Sequence, residues 1–482
     1  MKKTIIIVSL LVSTLSFAQK KDSTAVFKKR VLETTEVDFV SSYYNQNGSH
    51  AAVSGGIGTE KLSDFASNII VAAPLNDDDV LTFDVGISAY TSASSSNVNP
   101  FNSHTTSTYT STGASGRGGS VSTSSSPPDG TPWQSSTGAS GQGALYALNT
   151  NYSHSSDDRN FMWNSDVSVS TEFNYNSFGF GGGITKLFND KNSEISVKSN
   201  IYLDNWKIIY PTELHQYETY GTSFLTSGYF TGVTVLDQNG AASRSYLPNT
   251  FKPWTSTARN SYSASVSFSQ VVNTKSQFSV FFDVLQQQGL LSTPYHRIYF
   301  ADKTNFFIGQ SQYIANYEST ANTGVFKLAD DIERLPDTRF KLPIGARLNY
   351  YINEYLVLRT YYRYYSDDWD IQAHTANVEL PIKLSDKFTV FPTFRYYKQT
   401  ASKFYAPYEK HFSTEQYYTS DPDLATFDTK QFGFGINYTD IFASAKIWQF
   451  GLKNIDFRFH QYERTDRLKA SIATIAFKFI MQ

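Results

Sequence analysis

The chain has 482 residues, with 41 Lys and Arg against 43 Asp and Glu, a net charge of -2, and no cysteine. The lack of cysteine excludes a disulfide scaffold, a lipoprotein anchor and thiolate-based metal or nucleophile chemistry, and the near-neutral charge argues against a nucleic-acid partner. The abundant 33 Tyr and 37 Phe fit pleated sheets.

The N-terminus predicts export. Two lysines precede an uncharged apolar stretch that ends at Ser16-Phe17-Ala18, which is typical of a secretory signal peptide spanning residues 1–18 and cut after Ala18. A short buried helix is the alternative, but this stretch has no polar face. Beyond it, no run of eighteen apolar residues offers a transmembrane helix. We expect a periplasmic segment over residues 19–33 and one membrane domain over residues 34–482.

Alternation of apolar and polar residues is the main structural signal. Over 161–175, Phe, Trp, Val and Tyr occupy one face while Asn164, Asp166 and Ser168 occupy the other. Trp163 and Phe173 lie far enough apart to occupy the two aromatic girdles of an outer-membrane barrel. The alternation returns over 194–204 and 340–350, with Lys and Arg on the polar face.

The connections between these segments alternate between short and long. Short polar turns are predicted at 76–79, 155–160, 189–192, 273–276, 352–354, 385–387 and 439–446, and long connections at 91–142, 210–257, 291–336 and 400–426. Short periplasmic turns and long extracellular loops are typical of outer-membrane barrels. We therefore predict an all-β fold, an antiparallel transmembrane β-barrel of about sixteen strands (14–18), running from a first strand at 34–44 to a last strand at 468–481.

Two segments are distinctive within this scheme. The glycines of 51–75 interrupt the alternation and indicate either a bulge or a separate hairpin. Residues 91–142 consist almost wholly of Ser, Thr, Gly, Asn and Pro, a composition that buries little apolar surface. We expect a mobile, low-complexity extracellular loop there, with ligand binding as the alternative.

Hairpin geometry predicts a row of side chains facing the lumen. A three-residue turn at 352–354 sets Arg347 opposite Arg359, and the next two connections set Arg359 opposite Asn377 and Asn377 opposite Arg395. Glu379 lies on a diagonal, and the remaining lumen-facing candidates are Tyr361, Arg363 and Tyr397.

Three arginines at one level could act as an anion filter. Alternatively, Glu379, carboxylates on the opposite wall such as Asp84, Asp166 or Glu172, or an inward-folded loop could neutralise them.

The signals for enzyme chemistry are weak. Asp367, Asp368 and His374 could suggest a metal or hydrolase site, but both aspartates fit solvated loop carboxylates, and strand parity directs His374 toward lipid. Gly181-Gly182-Gly183 lies in a strand pattern rather than in a phosphate-binding turn. We therefore predict no catalytic residues, no metal and no cofactor.

Several segments carry a resemblance to a known family. They are Ser42-Tyr43-Tyr44, Gly55-Gly56, Tyr90–Ser94, Leu335–Arg339, Tyr361–Trp369 and Phe394–Tyr397. With them the chain resembles a family of outer-membrane barrels of Bacteroidota catalogued as domain of unknown function 3570, and Ser16–Gln19 is similar to leader ends common in that phylum. The resemblance implies the location and the barrel fold, and it suggests a redox-linked envelope system with thioredoxin-like and flavin-transferring neighbours. One departure is the C-terminal Ile480-Met481-Gln482, where many outer-membrane proteins end in an aromatic residue.

Together these features predict a porin-like protein of a Gram-negative outer membrane, surrounded by the lipid bilayer. It would be a channel for an unspecified solute or a scaffold for envelope protein partners, and not an enzyme. An enzyme with a site at the barrel rim, of the outer-membrane phospholipase type, is the alternative class, as is a component of a redox-linked envelope system. A soluble periplasmic binding protein is the third.

Overall fold

The structure, a computed structural model, describes residues 30–94, 142–172, 174–317 and 324–482. The predicted signal peptide, most of the low-complexity loop and the girdle position of Phe173 lie outside the described residues.

Barrel strands make up one large antiparallel sheet. Two of its eighteen segments, Ile382–Lys383 and Lys446–Ile447, are two-residue pieces that extend or flank longer strands, so sixteen strands form the wall. The first eight are β1 (Glu36–Asn47), β2 (Glu60–Pro74), β3 (Asp79–Ser94), β4 (Gln142–Ser155), β5 (Phe161–Thr171), β6 (Tyr175–Phe188), β7 (Ser193–Trp206) and β8 (Ala258–Asn273). The remaining eight are β9 (Ser276–Gly289), β10 (Thr338–Asn353), β11 (Leu356–Asp367), β12 (Gln372–Glu379), β13 (Phe388–Gln399), β14 (Phe427–Thr439), β15 (Phe450–Arg464) and β16 (Lys469–Met481).

The sheet closes on itself because β16 pairs with β1, from Glu36 opposite Ile480 to Asn47 opposite Lys469. Closure leaves no free sheet edge, so every strand can satisfy its backbone hydrogen bonds within the wall. The predicted fold class, an antiparallel transmembrane β-barrel of about sixteen strands with long loops at one end, is confirmed.

The register gives the wall two chemically different faces. The outward face carries exposed apolar side chains in mid-strand, including Val167 with 46% and Ile344 with 51% of its surface exposed. The inward face of β5 carries Asn164, Asp166 and Ser168. The predicted alternation over 194–204 and 340–350 is confirmed. The alternation predicted over 161–175 is confirmed only as far as Thr171, because β5 ends there and Tyr175 already belongs to the antiparallel strand β6. Gly181 of β6 faces inward, where an added Cβ would lie 2.2 Å from Asn200 Oδ1, so glycine leaves room for polar neighbours.

The two ends of the barrel differ in the length of their connections. One end of the barrel has the connections 75–78, 156–160, 189–192, 274–275, 354–355, 380–387 and 440–449, and it also holds both ends of the barrel chain. The long connections 207–257, 290–337 and 400–426 lie at the other end, together with the shorter ones at 48–59, 172–174, 368–371 and 465–468. The ambiguous glycine segment is a single bent loop, with a 3-10 turn at Ala52–Ser54, that leads directly into β2.

The described parts of 207–257, 290–337 and 400–426 fold together into a body that we call the loop cap. It contains one short helix, α1 (Thr212–Tyr220), and two small sheets. Its core is aromatic and aliphatic, with one cluster formed by Phe224, Phe230, Val235, Tyr246, Ile308, Phe326 and Leu328. No helix in the described ranges is both long enough and apolar enough to cross a membrane.

Buried charges tie the loop cap together. Arg297 and Glu213 are both fully buried and form a two-contact ion pair, with Nε donating to Oε1 at 2.8 Å. Lys327, 1% exposed, donates to Tyr408 Oη at 2.9 Å and also pairs with Glu409. Because an unpaired buried charge is costly, separating the cap segments that these pairs join would be unfavourable.

Candidate functional site

All eight predicted lumen-facing side chains, the four of the row and the four around it, lie on the inward face of β10 to β13. That this face is inward follows from Glu379 on β12, which forms an ion pair with Arg458 on β15 across two intervening strands. Strands are about 4.8 Å apart, so the contact spans roughly 14 Å along the sheet, and long side chains can close such a distance only on the concave side of a barrel.

The order of residues within the row differs from the prediction. Arg347 lies opposite Tyr361, not Arg359, and Arg359 lies opposite Glu379, not Asn377. The pairing of Asn377 with Arg395 is as expected. The transverse row is therefore Arg347, Tyr361, Asn377 and Arg395, and the three arginines do not share one level.

The position of the β10–β11 turn and a bulge beside it explain why Arg347 does not lie opposite Arg359. β10 continues to Asn353 and its register shifts between Tyr351 and Asn353, which moves the turn to 354–355. The later turn alone would shift the predicted pairing by three residues, but Ile352 is bulged out and takes up one of them, so the net shift is two and every side chain keeps its predicted face. The predicted pairing of β10 with β11 was therefore wrong, although each side chain lies on the face that was predicted for it.

Glu379 is the centre of a charge network on this wall. It accepts from Arg359 Nη1 and Arg458 Nη1, each at 2.9 Å. Arg347 instead lies over the rings of Phe281 and Tyr361, with its guanidinium carbon 5.6 Å and 5.5 Å from their centroids. Glu379 thus pairs with one arginine of the predicted row, Arg359, and with Arg458, which the prediction did not include.

Carboxylates occupy the opposite half of the inward face. Asp64 on β2, Asp84 on β3 and Asp166 on β5 lie eight strands from β10, β11 and β13, which is half of the way around the barrel. Asp84 accepts from Asn68 at 2.9 Å and Asp64 from Ser88 at 2.5 Å. An arginine wall therefore faces a carboxylate wall.

A cavity of about 590 Å³ lies where the loop cap meets the barrel wall. Arg395 and Tyr397 of the predicted set line it, together with His296 and Asp421 of the cap. Arg464 also lines it and is paired with Asp423 and Asp466. Its other lining side chains are mostly polar or aromatic, so the cavity suits water and small polar solutes rather than hydrocarbon.

The cap contributes a cluster to this cavity that sequence reasoning did not identify. His296, Glu333 and Asp421 place ligand-capable atoms within 4.8 Å of one another. Burial raises the pKa of Asp421 to about 7, with Asp423 and Glu333 adding to the effect. Burial alone would lower the pKa of His296, but Glu333 and Asp421 outweigh it and raise that pKa. The three residues lie in two separate long loops, so no local motif signals them.

The aspartates near β11 have a structural role. The Asp367 side chain is fully buried, so its prediction as a solvated loop carboxylate was wrong. It accepts from Arg339 Nε at 2.9 Å, from Tyr365 Oη at 2.6 Å and from two loop N–H groups. Asp368 accepts from the N–H of Phe340 at 3.0 Å. Both carboxylates hold the β11–β12 connection, while His374 lies on the outward face as predicted.

Comparison with solved structures finds similar barrels of low sequence identity. A bacterial polysaccharide outer membrane secretin gives a TM-score of 0.41 at 10% identity, covering 94% of this chain and 100% of that one. A FadL homologue of Pseudomonas aeruginosa gives 0.36 at 8% identity, covering 96% and 95%. The toluene transporter TodX of Pseudomonas putida gives 0.36 at 8%, covering 94% and 90%. No curated protein sequence matches the chain.

A family model covers nearly the whole chain. It matches residues 5–474, including every barrel strand except the end of β16 and all of the loop cap. The chain therefore belongs to the family described as Protein of unknown function (DUF3570).

Proposed function

We propose that the protein is an integral barrel of a Gram-negative outer membrane and acts as a channel for small polar solutes, which pass the loop cap and cross between two oppositely charged walls. The observation that carries the proposal is the division of the wall into an apolar outward face and a charged inward face. A soluble barrel would not need apolar side chains exposed in mid-strand around its outer surface.

The inward direction of the arginine side chains supports membrane insertion, because charged side chains on the lipid face would be costly. An Arg or Lys on the lipid face at mid-bilayer costs about 2–4 kcal/mol, and Arg347, Arg359, Arg363 and Arg395 all face inward instead. The long-loop end would be extracellular and the short-turn end, with both barrel termini, periplasmic. Signal-peptide cleavage after Ala18 belongs to the same proposal.

The solute class follows from the facing walls. Arginines on one side and carboxylates on the other create a field across the lumen, which orients dipolar solutes and slows apolar ones. Glu379 keeps the arginine wall from becoming a simple anion filter because it compensates two arginines. Small polar or zwitterionic solutes fit this arrangement better than hydrocarbons.

Conductance in planar bilayers tests the proposal. The purified full chain should form channels, and Arg359→Ser with Arg395→Ser should shift the reversal potential in a salt gradient toward cation preference. Asp84→Asn with Asp166→Asn should shift it the other way, and Glu463→Gln, an exposed pair with Lys469 at the loop end, serves as the control.

Unchanged selectivity in both double variants would overturn the two-wall model. Absence of any conductance would refute the channel and leave a scaffold for envelope partners. Heat-modifiable gel migration with outer-membrane fractionation tests the shared premise, and recovery as a soluble periplasmic protein would contradict it.

A further inference from the structure

Backbone pairing holds two members of the cluster of His296, Glu333 and Asp421 next to each other. His296 and Glu333 flank a two-stranded sheet in which Arg297 pairs with Ile332, and the Glu333 N–H donates to the His296 carbonyl at 2.9 Å. Asp421 comes from the other long loop. The site therefore joins two segments of the loop cap.

Each carboxylate is oriented by specific donors. Glu333, with a side chain 3% exposed, accepts from the Thr293 N–H and from Thr419 Oγ1, both at 2.6 Å. The same Thr419 hydroxyl accepts from the Asp421 N–H at 3.0 Å. Thr419 is fully buried and thus fixes both acids relative to each other.

Asp421 uses one oxygen for structure and presents the other to the cluster. Its Oδ1 accepts from the Asp423 N–H at 2.9 Å, which caps a short 3-10 helix. Its Oδ2 lies 3.9 Å from His296 Nδ1, and Glu333 Oε1 lies 3.6 Å from the same nitrogen.

His296 Nδ1 is the unsatisfied atom of the group. The atom is buried, and within the described ranges it makes no hydrogen bond, although the ring as a whole keeps 14% of its surface exposed. A buried polar atom without a hydrogen bond is uncommon and calls for an explanation. Here both nearest polar neighbours are carboxylate oxygens just beyond hydrogen-bond distance.

The spacing suits a metal ion. Ligands about 2.1 Å from a zinc-like ion at tetrahedral angles are roughly 3.4 Å apart, close to the two observed separations of 3.6 Å and 3.9 Å. The three ligand atoms all lie within 4.8 Å of one another, so rotation of the Glu333 and Asp421 side chains would bring the set around such an ion. A dication would also compensate the two carboxylates, whose side chains are only 3% and 22% exposed.

The donor set narrows the class of ion. Imidazole nitrogen suits Zn²⁺ and the neighbouring first-row ions, whereas all-oxygen sites suit Ca²⁺ and Mg²⁺. Three protein donors leave one or more positions open, and His296 and Asp421 both line the interior cavity from which an ion or a further ligand can approach.

We propose that His296, Glu333 and Asp421 form a binding site for one divalent first-row transition-metal ion, with Zn²⁺ or Mn²⁺ as representative ions, and that Thr419 is its positioning residue. The site does not depend on solute conduction, since it lies wholly within the loop cap. An ion bound there links two cap loops at the cavity.

Equilibrium dialysis of the full chain in detergent tests the site. After treatment with a chelator, the protein is exposed to Zn²⁺, Mn²⁺ or Ca²⁺ alone and bound metal is measured per chain. We expect one Zn²⁺ or Mn²⁺ per chain, much weaker Ca²⁺ binding, and loss of the bound ion in His296→Ala and in Asp421→Asn. Thr419→Val should weaken binding about 10- to 100-fold, as is usual for residues that orient metal ligands.

Matched controls lie on α1, where His215 and Glu218 form an exposed pair at 3.5 Å. His215→Ala and Glu218→Gln should bind metal like the unaltered chain. Heat-modifiable migration verifies that each variant is folded, and if one fails to fold, the other two variants still decide. Less than one ion per chain in the unaltered protein, or undiminished binding in folded His296→Ala and Asp421→Asn, would overturn the proposal.

Discussion

The buried pair of Arg297 and Glu213 offers a sharp test of the loop cap as a folded body. Both side chains are fully buried, and Glu213 also accepts from the Ala329 N–H at 3.2 Å. Glu213→Gln keeps the volume but removes the charge that compensates Arg297. Breaking a buried pair from one side typically costs about 3–5 kcal/mol. That cost corresponds to an increase of roughly two to nearly four powers of ten in the opening equilibrium of the cap.

Hydrogen exchange with mass spectrometry on the detergent-solubilised protein would measure this opening. Peptides from 207–257 and 290–337 should exchange faster in Glu213→Gln, while peptides from the barrel strands keep their protection. Glu218→Gln on the same helix is the control, because its side chain is exposed and its partner His215 is also exposed. Equal exchange in Glu213→Gln and Glu218→Gln would refute the view that this pair holds the cap together.

Three further predictions concern the wall and the cap. Val167→Arg places a charge on the lipid face and should lower the stability of the folded barrel by about 2–4 kcal/mol, whereas Ser168→Arg on the inward face should be tolerated; equal urea midpoints would contradict the assigned faces. Glu379→Gln releases two arginines and should shift the reversal potential in planar bilayers toward anions, and a shift toward cations would be inconsistent with the network. Burial raises the pKa of Asp330 to about 7, so its contribution to cap stability is present at low pH and is lost as pH rises from about 4 to about 7. In Asp330→Asn this loss of cap stability should be smaller, which hydrogen exchange measured across the same pH range would show. An equal loss in Asp330→Asn and the unaltered protein would contradict the prediction.

Much of the barrel follows from the period-two pattern alone. The segments around Trp163, Ile195 and Leu348 alternate so regularly that strand, face and approximate length are all determined by which residues must meet lipid. The alternation of short turns with long loops then gives the even strand number and the location of both termini. These inferences depend on the order of apolar and polar residues along the chain, which can be seen in a single sequence.

Register could not be obtained in the same way. Pairing along a hairpin depends on turn type and on bulges, and nothing in Tyr351-Ile352-Asn353 distinguishes a bulged strand from a regular one. The predicted opposition of Arg347 and Arg359 failed for this reason, while the face of both residues was correct because a two-residue shift preserves parity.

The sequence analysis did not predict the loop cap, for a different reason. Its long segments lack strand or helix periodicity, yet they contain aromatic residues such as Phe224, Phe230 and Tyr246, which form its core. That aromatic content was an available signal for a folded body. The meeting of His296, Glu333 and Asp421 had no such signal, because it arises from the packing of two distant loops.

In the proposed barrel, one face of the wall meets lipid and the other meets water. Because the chain has no cysteine, single cysteines can be introduced along β5 and labelled with a membrane-impermeant thiol reagent in liposomes. Asp166→Cys and Ser168→Cys should react rapidly, and Val167→Cys and Val169→Cys should be protected. Uniform labelling at all four positions, or the opposite alternation, would contradict the membrane-spanning barrel with a polar interior.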